Sequence, residues 1–208
     1  STRYRHQESK NMKIYFDGAS TTEGEYLGRK HGVVDWKEKR WTKILANKLG
    51  AEEYNFALGG GSNQRILRNI TTEHDISDYD LAVILMTREY RTEFFWNVEY
   101  IPVLPNKKEY GTPEISKFWE TYYKTILDER YAMKYDEVIY KSIKAICAVN
   151  NVPLVLMSDS KITKLPFDIR VTRDKYEHYV KTDGHPTLDA HSKIADDIIN
   201  FINITSVL

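Results

Sequence analysis

Apolar residues along this chain follow two patterns, short runs with at most one polar residue and longer stretches in which they recur every three or four positions. The runs have the length of buried β-strands and cover residues 12–16, 54–58, 81–86 and 153–157. The longer stretches predict amphipathic helices over residues 35–49, 62 onward, 113–131, 136–149 and 188–202. Residues 81–86 are apolar throughout, which is typical of a central strand covered on both faces.

Strands that alternate with helices predict a parallel sheet with right-handed crossovers and helices on both faces. We therefore predict an α/β fold of three layers, α/β/α, with a flavodoxin-like parallel sheet of about five strands. In such sheets the ligand crevice lies beyond the carboxyl ends of the strands. Ser20, Gly60, Thr87 and Ser158 each follow a predicted strand, so we expect them at that edge.

Two segments lack either pattern. Residues 92–112 include four aromatic residues between Phe94 and Tyr100, and we interpret them as a lid or a surface for a partner. Residues 1–11 are polar and precede Met12. We predict that they form a disordered extension, an artificial tag or an arm that docks onto a partner, outside a single domain of residues 12–208.

Composition excludes several classes of protein. A length of 208 residues fits one domain that folds without disulfides or metals. Lys and Arg together number 30, as do Asp and Glu, so we expect neither nucleic acid nor an anionic membrane as a partner. No stretch has the length of a membrane span and no secretory signal is visible. We expect a soluble protein, cytoplasmic or virion-associated.

The single cysteine, Cys147, lies in an apolar helical pattern. One cysteine forms neither a disulfide framework nor a thiolate metal site, and we interpret Cys147 as a buried packing residue. We predict no metal site and no cofactor.

Three separated segments carry the parts of a serine hydrolase. Ser20 follows the first strand, a run of three glycines that includes Gly60 follows the second, and Asp183 and His185 lie near the other end. A serine hydroxyl needs a base in contact and donors aimed at the oxyanion. We predict Ser20 as nucleophile, His185 as base and Asp183 as its orienting carboxylate, with the N–H groups of Ser20 and Gly60 as oxyanion donors.

Each part also has another interpretation. A serine after a strand is commonly a turn or capping residue, and a glycine run also cradles phosphate in nucleotide sites. The run at 59–61 lacks the dinucleotide fingerprint and the lysine of a P-loop. His191, on the last predicted helix, is the alternative base.

The chain resembles the SGNH (GDSL-type) hydrolases in three blocks. Residues 18–24 are similar to the block that carries the serine, residues 55–63 to the glycine block, and residues 183–186, followed by His191, to the Asp-His block. The resemblance covers residues 12–201. It implies the SGNH hydrolase fold and the same roles for the nucleophile, its partners and the oxyanion glycine.

The chain departs from that family at two blocks. Ala19 replaces the usual aspartate before the serine, and residues 86–91 lack the asparagine that supplies an oxyanion donor after the third strand. The predicted replacements, which also serve as candidates for substrate binding, are Asn63, Thr87, Arg88 and Arg91. A threonine followed by an arginine resembles a variant third block of phage-like members, and an arginine there favours an anionic or carboxylate-bearing substrate.

We therefore predict a serine esterase that acts through an acyl-enzyme on a small-molecule or carbohydrate ester, with removal of a carbohydrate O-acetyl group as the expected reaction. The alternative is a catalytically weak or inactive SGNH-fold module with a binding or structural role, as in a viral particle. A third hypothesis is a flavodoxin-like nucleotide binder that uses the glycine run.

Overall fold

A computed structural model describes residues 11–96, 99–105, 112–161, 163–172, 174–176, 184–206 and 208. These residues form seven strands: β1 (Lys13–Asp17), β2 (Glu52–Asn55), β3 (Leu81–Met86), β4 (Thr92–Trp96), β5 (Glu99–Val103), β6 (Leu154–Ser158) and β7 (Ile169–Arg170). Five of them build one sheet in the order β2-β1-β3-β6-β7, with every pair parallel. The antiparallel pair β4 and β5 stands apart from this sheet.

The described residues also form eight α-helices: α1 (Ser20–Glu23), α2 (Glu25–Arg29), α3 (Trp36–Lys39), α4 (Trp41–Leu49), α5 (Asn63–Arg68), α6 (Pro113–Thr121), α7 (Glu129–Val149) and α8 (Leu188–Thr205). π-helical turns follow α5 and α6, at Asn69–Glu73 and Tyr122–Ile126, and a 3-10 turn lies at Ile76–Asp78. The helices α5, α7 and α8 begin at polar residues, Ser62, Asp128 and Thr187, whose side chains accept a backbone N–H of the first turn.

Helices cover the sheet on both faces and form two cores. One core joins strand residues to α4 and α8: Phe16, Val83, Met157, Leu45 and Ile198. The other joins strand residues to α5 and α7: Tyr15, Ile84, Leu156, Ile66 and Ile143. Neighbouring positions of one strand point to opposite faces, which is why Tyr15 and Phe16 lie in different cores. The predicted three-layer α/β/α fold with a five-stranded parallel sheet is confirmed.

Strand positions agree closely with the apolar runs. β3 has the predicted bounds, and β1 and β6 are displaced by one residue. The strand predicted at 54–58 lies at Glu52–Asn55, although the Phe56 N–H still donates to the Phe16 carbonyl at 2.9 Å. Residues 92–112 were expected to lack regular structure, yet they contain the β4–β5 hairpin. β7 has two residues, too few for a recognisable apolar run.

The helix predicted over residues 35–49 is divided in two at Arg40, which is extended with ψ 150°. Its guanidinium bonds both carboxylate oxygens of Glu53 at 2.9 and 3.0 Å and the Glu23 carbonyl at 3.2 Å. These contacts hold Arg40 out of the helix. Likewise Asp128 starts α7 by accepting the Tyr131 N–H at 2.7 Å, so this helix begins earlier than the predicted residue 136. No helix in the described ranges has both the length and the apolar character needed to cross a bilayer.

Candidate active site

Ser20 and His185 meet at the carboxyl edge of the sheet. Ser20 is the first residue of α1, three positions after β1 ends, and His185 lies in the segment that leads into α8. The distance between Ser20 Oγ and His185 Nε2 is 3.2 Å, across 165 positions of sequence. When Nε2 carries no proton, this geometry allows the serine hydroxyl to donate to the imidazole, which is the arrangement that a nucleophile and its base require. Asp183 lies outside the described residues.

The turn that presents Ser20 requires a glycine at position 18. A Cβ built on Gly18 would lie 2.3 Å from Thr22 Oγ1 and 3.0 Å from the Leu85 carbonyl oxygen. The first distance is shorter than real Cβ contacts and the second is tighter than most, so a side chain at position 18 would force its neighbours to move.

A buried carboxylate anchors the same turn. Asp17 is fully buried and accepts four hydrogen bonds, from Tyr15 Oη (3.0 Å), the Gly18 N–H (2.7 Å), Arg65 Nη1 (3.0 Å) and Asn69 Nδ2 (2.8 Å). Burial raises the pKa of Asp17, and the Arg65 guanidinium opposes that shift. The carboxylate thus ties the end of β1 to α5 and to the π-helical turn after it.

The glycine loop lies directly beside the serine turn. The Leu58 N–H donates to the Gly18 carbonyl at 3.3 Å, and the Glu23 carboxylate lies close to Gly59, where a Cβ would be 2.8 Å from Glu23 Oε2. Gly60 has φ 78°, a left-handed conformation that favours glycine. Within the described residues, hydrogen-bond acceptors are found for neither the Ser20 nor the Gly60 N–H. Both groups therefore remain able to donate to a ligand, whereas the Glu23 carboxylate disfavours a phosphate in this loop.

Both N–H groups of the Asn63 side-chain amide are bonded within the protein, so neither is available to an oxyanion. Its Oδ1 accepts the Thr87 N–H at 2.8 Å, and its Nδ2 donates to the Thr87 carbonyl and to Asp136 Oδ2, each at 3.0 Å. Both amide hydrogens are therefore in use. In this geometry the Asn63 side chain binds the backbone at Thr87, directly after β3, and its predicted role as a replacement donor stays a prediction.

Asp136, the carboxylate at the end of this clamp, is strongly perturbed. Burial raises its pKa to about 7, with further repulsion from Glu89 and Asp159, while the hydrogen bond from Asn63 acts in the opposite direction. A carboxyl group with this pKa changes its charge near neutral pH.

The other three predicted donors differ in placement. The Thr87 hydroxyl is buried and has no hydrogen-bond partner in the described part of the chain. Arg91 is partly buried and donates to the Gly61 carbonyl across a long 3.4 Å contact. Burial lowers the pKa of Arg91, and Asp159 opposes that shift. Arg88 is exposed.

A cavity of about 350 Å³ opens beside the serine and histidine. Thr21, Gly184 and Pro186, which adjoin Ser20 and His185 in sequence, line the cavity. Its charged lining residues are Arg88, Lys161, Glu89 and Asp159. Burial raises the pKa of the Asp159 carboxyl to about 6, and Arg91 and Arg88 oppose that shift. The volume accommodates a group of small-molecule size next to the residues that adjoin Ser20 and His185.

His191, the alternative base, lies in the core. Its Nδ1 accepts the Trp41 N–H at 3.0 Å, and its Nε2 bonds Tyr26 Oη at 2.5 Å. Burial, followed by repulsion from His31, lowers the pKa of His191 to about 3. The His191 ring therefore stays neutral, with both nitrogens in hydrogen bonds, and it is His185 that contacts Ser20.

Sequence reasoning missed Tyr26 and the role of Asp17. The Tyr26 ring lies 4.3 Å from the His185 ring, centroid to centroid, at an interplanar angle of 30°. The chain has 15 tyrosines, and nothing in the sequence distinguishes Tyr26 from the others. As for metals, groups of three ligating His, Cys, Asp or Glu side chains are absent from the described ranges.

No protein-family model and no curated protein matches this chain. Solved structures do. The psychrotrophic esterase EstA from Pseudoalteromonas sp. aligns with 93% of this chain and 98% of its own, at 11% identity and a TM-score of 0.54. A structure described as a lipolytic protein of the G-D-S-L family from Desulfitobacterium hafniense aligns over 92% and 99%, at 11% identity and a TM-score of 0.51. The acetyl xylan esterase AlAXEase aligns over 91% and 98%, at 12% identity and a TM-score of 0.52. At such identities the likeness establishes a shared fold.

Proposed function

We infer from the SGNH (GDSL-type) hydrolase fold of this chain and from its site that it is a serine esterase. The observation that carries this inference is the 3.2 Å contact between Ser20 Oγ and His185 Nε2 at the carboxyl edge of the sheet. A hydroxyl in contact with an imidazole, beside two N–H groups that are able to donate, is the arrangement that acyl transfer requires.

In the proposed mechanism, Ser20 Oγ attacks the ester carbonyl carbon while His185 Nε2 takes the hydroxyl proton. The carbonyl oxygen becomes an oxyanion and accepts from the N–H groups of Ser20 and Gly60. His185 then gives its proton to the leaving alcohol as the bond between carbon and alcohol oxygen breaks. Water attacks the resulting acyl-serine with His185 again as base, which releases the carboxylic acid and restores Ser20. Asp183 is proposed to orient the imidazole.

Thr87 is the proposed third oxyanion donor. Losing one such donor reduces transition-state stabilisation by about 3 kcal/mol. The Thr87 hydroxyl is the candidate that has no other partner among the described residues, while the Asn63 amide is committed. Thr87 also follows β3 directly, where the family's donor belongs.

The proposed substrate is a small ester, with carbohydrate O-acetyl groups as the leading class. A cavity of about 350 Å³ suits a group the size of one sugar ring better than a long acyl chain. An acetyl xylan esterase is among the structures that share the fold. Arg88 and Lys161 line the cavity and favour a carboxylate on the ester, whereas Glu89 and Asp159, which also line it, oppose one.

Turnover of p-nitrophenyl acetate tests the proposal. We expect Ser20→Ala and His185→Gln each to reduce kcat/KM by at least about a thousandfold, as removal of nucleophile or base does. Ser192→Ala is the matched control, because Ser192 is exposed on α8, and it should retain wild-type rates. Equal rates for wild type and Ser20→Ala would exclude Ser20 as the nucleophile.

A second candidate function is a binding module with weak or lost catalysis. It is favoured by one observation, the commitment of both Asn63 amide hydrogens to Thr87 and Asp136 in a chain without the third-block asparagine. This alternative predicts that acetylated oligosaccharides bind, by calorimetry, without release of acetate. Stoichiometric acetate release over repeated turnovers would exclude it.

A further inference from the structure

Tyr26 lies at the centre of three histidine rings. Its ring stacks on His185 with centroids 4.3 Å apart at 30°, and it lies 5.8 Å from His191 at 29°. His31 meets the same ring edge-on, at 5.5 Å and 72°. Tyr26 is only 5% exposed. The side chain that touches the proposed base is therefore itself enclosed.

The hydroxyl end of Tyr26 is fixed by the core. His191 Nδ1 accepts the Trp41 backbone N–H at 3.0 Å, so in the neutral ring the proton lies on Nε2. That Nε2 lies 2.5 Å from Tyr26 Oη and donates to it. His191 is fully buried. A chain of contacts thus runs from the start of α4 through His191 and Tyr26 to His185.

We propose that Tyr26 is a positioning residue for His185: its ring face holds the imidazole against Ser20 and stabilises the cationic form that arises when Ser20 transfers its proton. The proposal rests on the proposed esterase function, since that function makes His185 a base. The face of an aromatic ring attracts a cation placed within about 6 Å of its centroid. Among the described residues, the titratable side chains in ring contact with Tyr26 are His31, His185 and His191.

Two substitutions separate the ring from the hydroxyl. Tyr26→Phe keeps the ring and removes the bond to His191, whereas Tyr26→Leu removes the ring as well. We expect Tyr26→Phe to keep kcat/KM for p-nitrophenyl acetate within about twofold per folded molecule, and Tyr26→Leu to lower it about tenfold. The acid side of the Tyr26→Leu pH–rate profile should move to lower pH by about half a unit to one unit, because the cationic imidazole loses its support. Identical profiles and rates for the two variants would overturn the proposal.

A measurement on the wild-type protein does not depend on the folding or activity of these variants. Because the His185 ring lies over the Tyr26 face, its ring-proton NMR signals should be shifted upfield, with the assignment made by their loss in His185→Gln. Unshifted His185 signals would overturn the proposed stacking. If the esterase function itself is wrong, the wild-type protein will show no turnover. The role of Tyr26 is then decided by the NMR shift of His185 and by the NMR titration of His185 in Tyr26→Phe and Tyr26→Leu.

Discussion

The two sides of the crevice are built differently. On the serine side, Asp17 pairs with Arg65 at 3.0 Å and accepts three further hydrogen bonds. On the β3 side, Asp136 is held by Asn63 alone among the described contacts, and burial raises the pKa of Asp136 to about 7 and of Asp159 to about 6. We infer from this difference that the serine side holds the geometry of the turn, while the charge on the β3 side changes with pH.

The largest effect on folding is expected from Asp17→Asn. The substitution leaves the largely buried Arg65 guanidinium without its carboxylate, which should lower the free energy of unfolding by about 3–5 kcal/mol. Urea denaturation measures it. Arg65→Met added to Asp17→Asn should recover part of the loss, because it removes the unpaired charge. If Asp17→Asn unfolds at the same urea concentration as wild type, the serine side does not depend on this ion pair.

Asp136→Asn should make stability less dependent on pH. The pKa of Asp136 is raised in the folded protein, so its neutral form favours folding, and that contribution is lost as pH rises from about 4 through 7. At pH 8 the asparagine variant should therefore be more stable than wild type by up to about 4 kcal/mol, with little difference at pH 4. Thermal unfolding across this range provides the measurement. A difference that does not change with pH would contradict the proposed burial of an ionising carboxyl.

Thr87→Val removes only the proposed oxyanion donor. We expect kcat/KM to fall about a hundredfold, while stability is unchanged because the hydroxyl has no partner in the described part of the chain. Thr87→Ser, which keeps the hydroxyl, is the control and should retain most activity. Full activity in Thr87→Val would show that Thr87 is not the third donor and would leave Arg88 and Arg91 as the candidates.

Gly18→Ala should lower the free energy of unfolding by about 2–3 kcal/mol, because its Cβ would lie 2.3 Å from Thr22 Oγ1. Gly32→Ala serves as the comparison, since that glycine has φ 67° and a Cβ built on it would have no atom of the described residues within 4 Å. It should lose only the backbone term, about 1 kcal/mol. Equal losses at the two positions would show that close packing at the serine turn is not what requires glycine.

The sequence predicted the fold well because strand periodicity is strong where a sheet is buried on both faces. β3 shows this most clearly, with six buried apolar residues in a row. The prediction from sequence failed where strands are short or lie outside the main sheet. β7 has only two residues. The β4–β5 hairpin contains aromatic residues, but it is not buried on one face, so its sequence lacks a recognisable alternation of apolar and polar residues.

Within the site, the sequence located residues by their position after strands but could not show how their side chains bond. Ser20 and His185 come together because both lie at the carboxyl edge of a parallel sheet. The Asn63 amide, by contrast, is turned to Thr87 and Asp136, a partner 73 positions away. Tyr26 contacts His185 through the packing of α2, which no local motif encodes.

The most direct test of the central claim is intact-protein mass spectrometry after reaction with a fluorophosphonate, followed by peptide mapping. We predict a single adduct on Ser20 in wild type, strongly slowed labelling in His185→Gln, and none in Ser20→Ala. An unlabelled wild-type protein, or an adduct that persists in Ser20→Ala, would contradict the assignment of Ser20 as a nucleophile activated by His185.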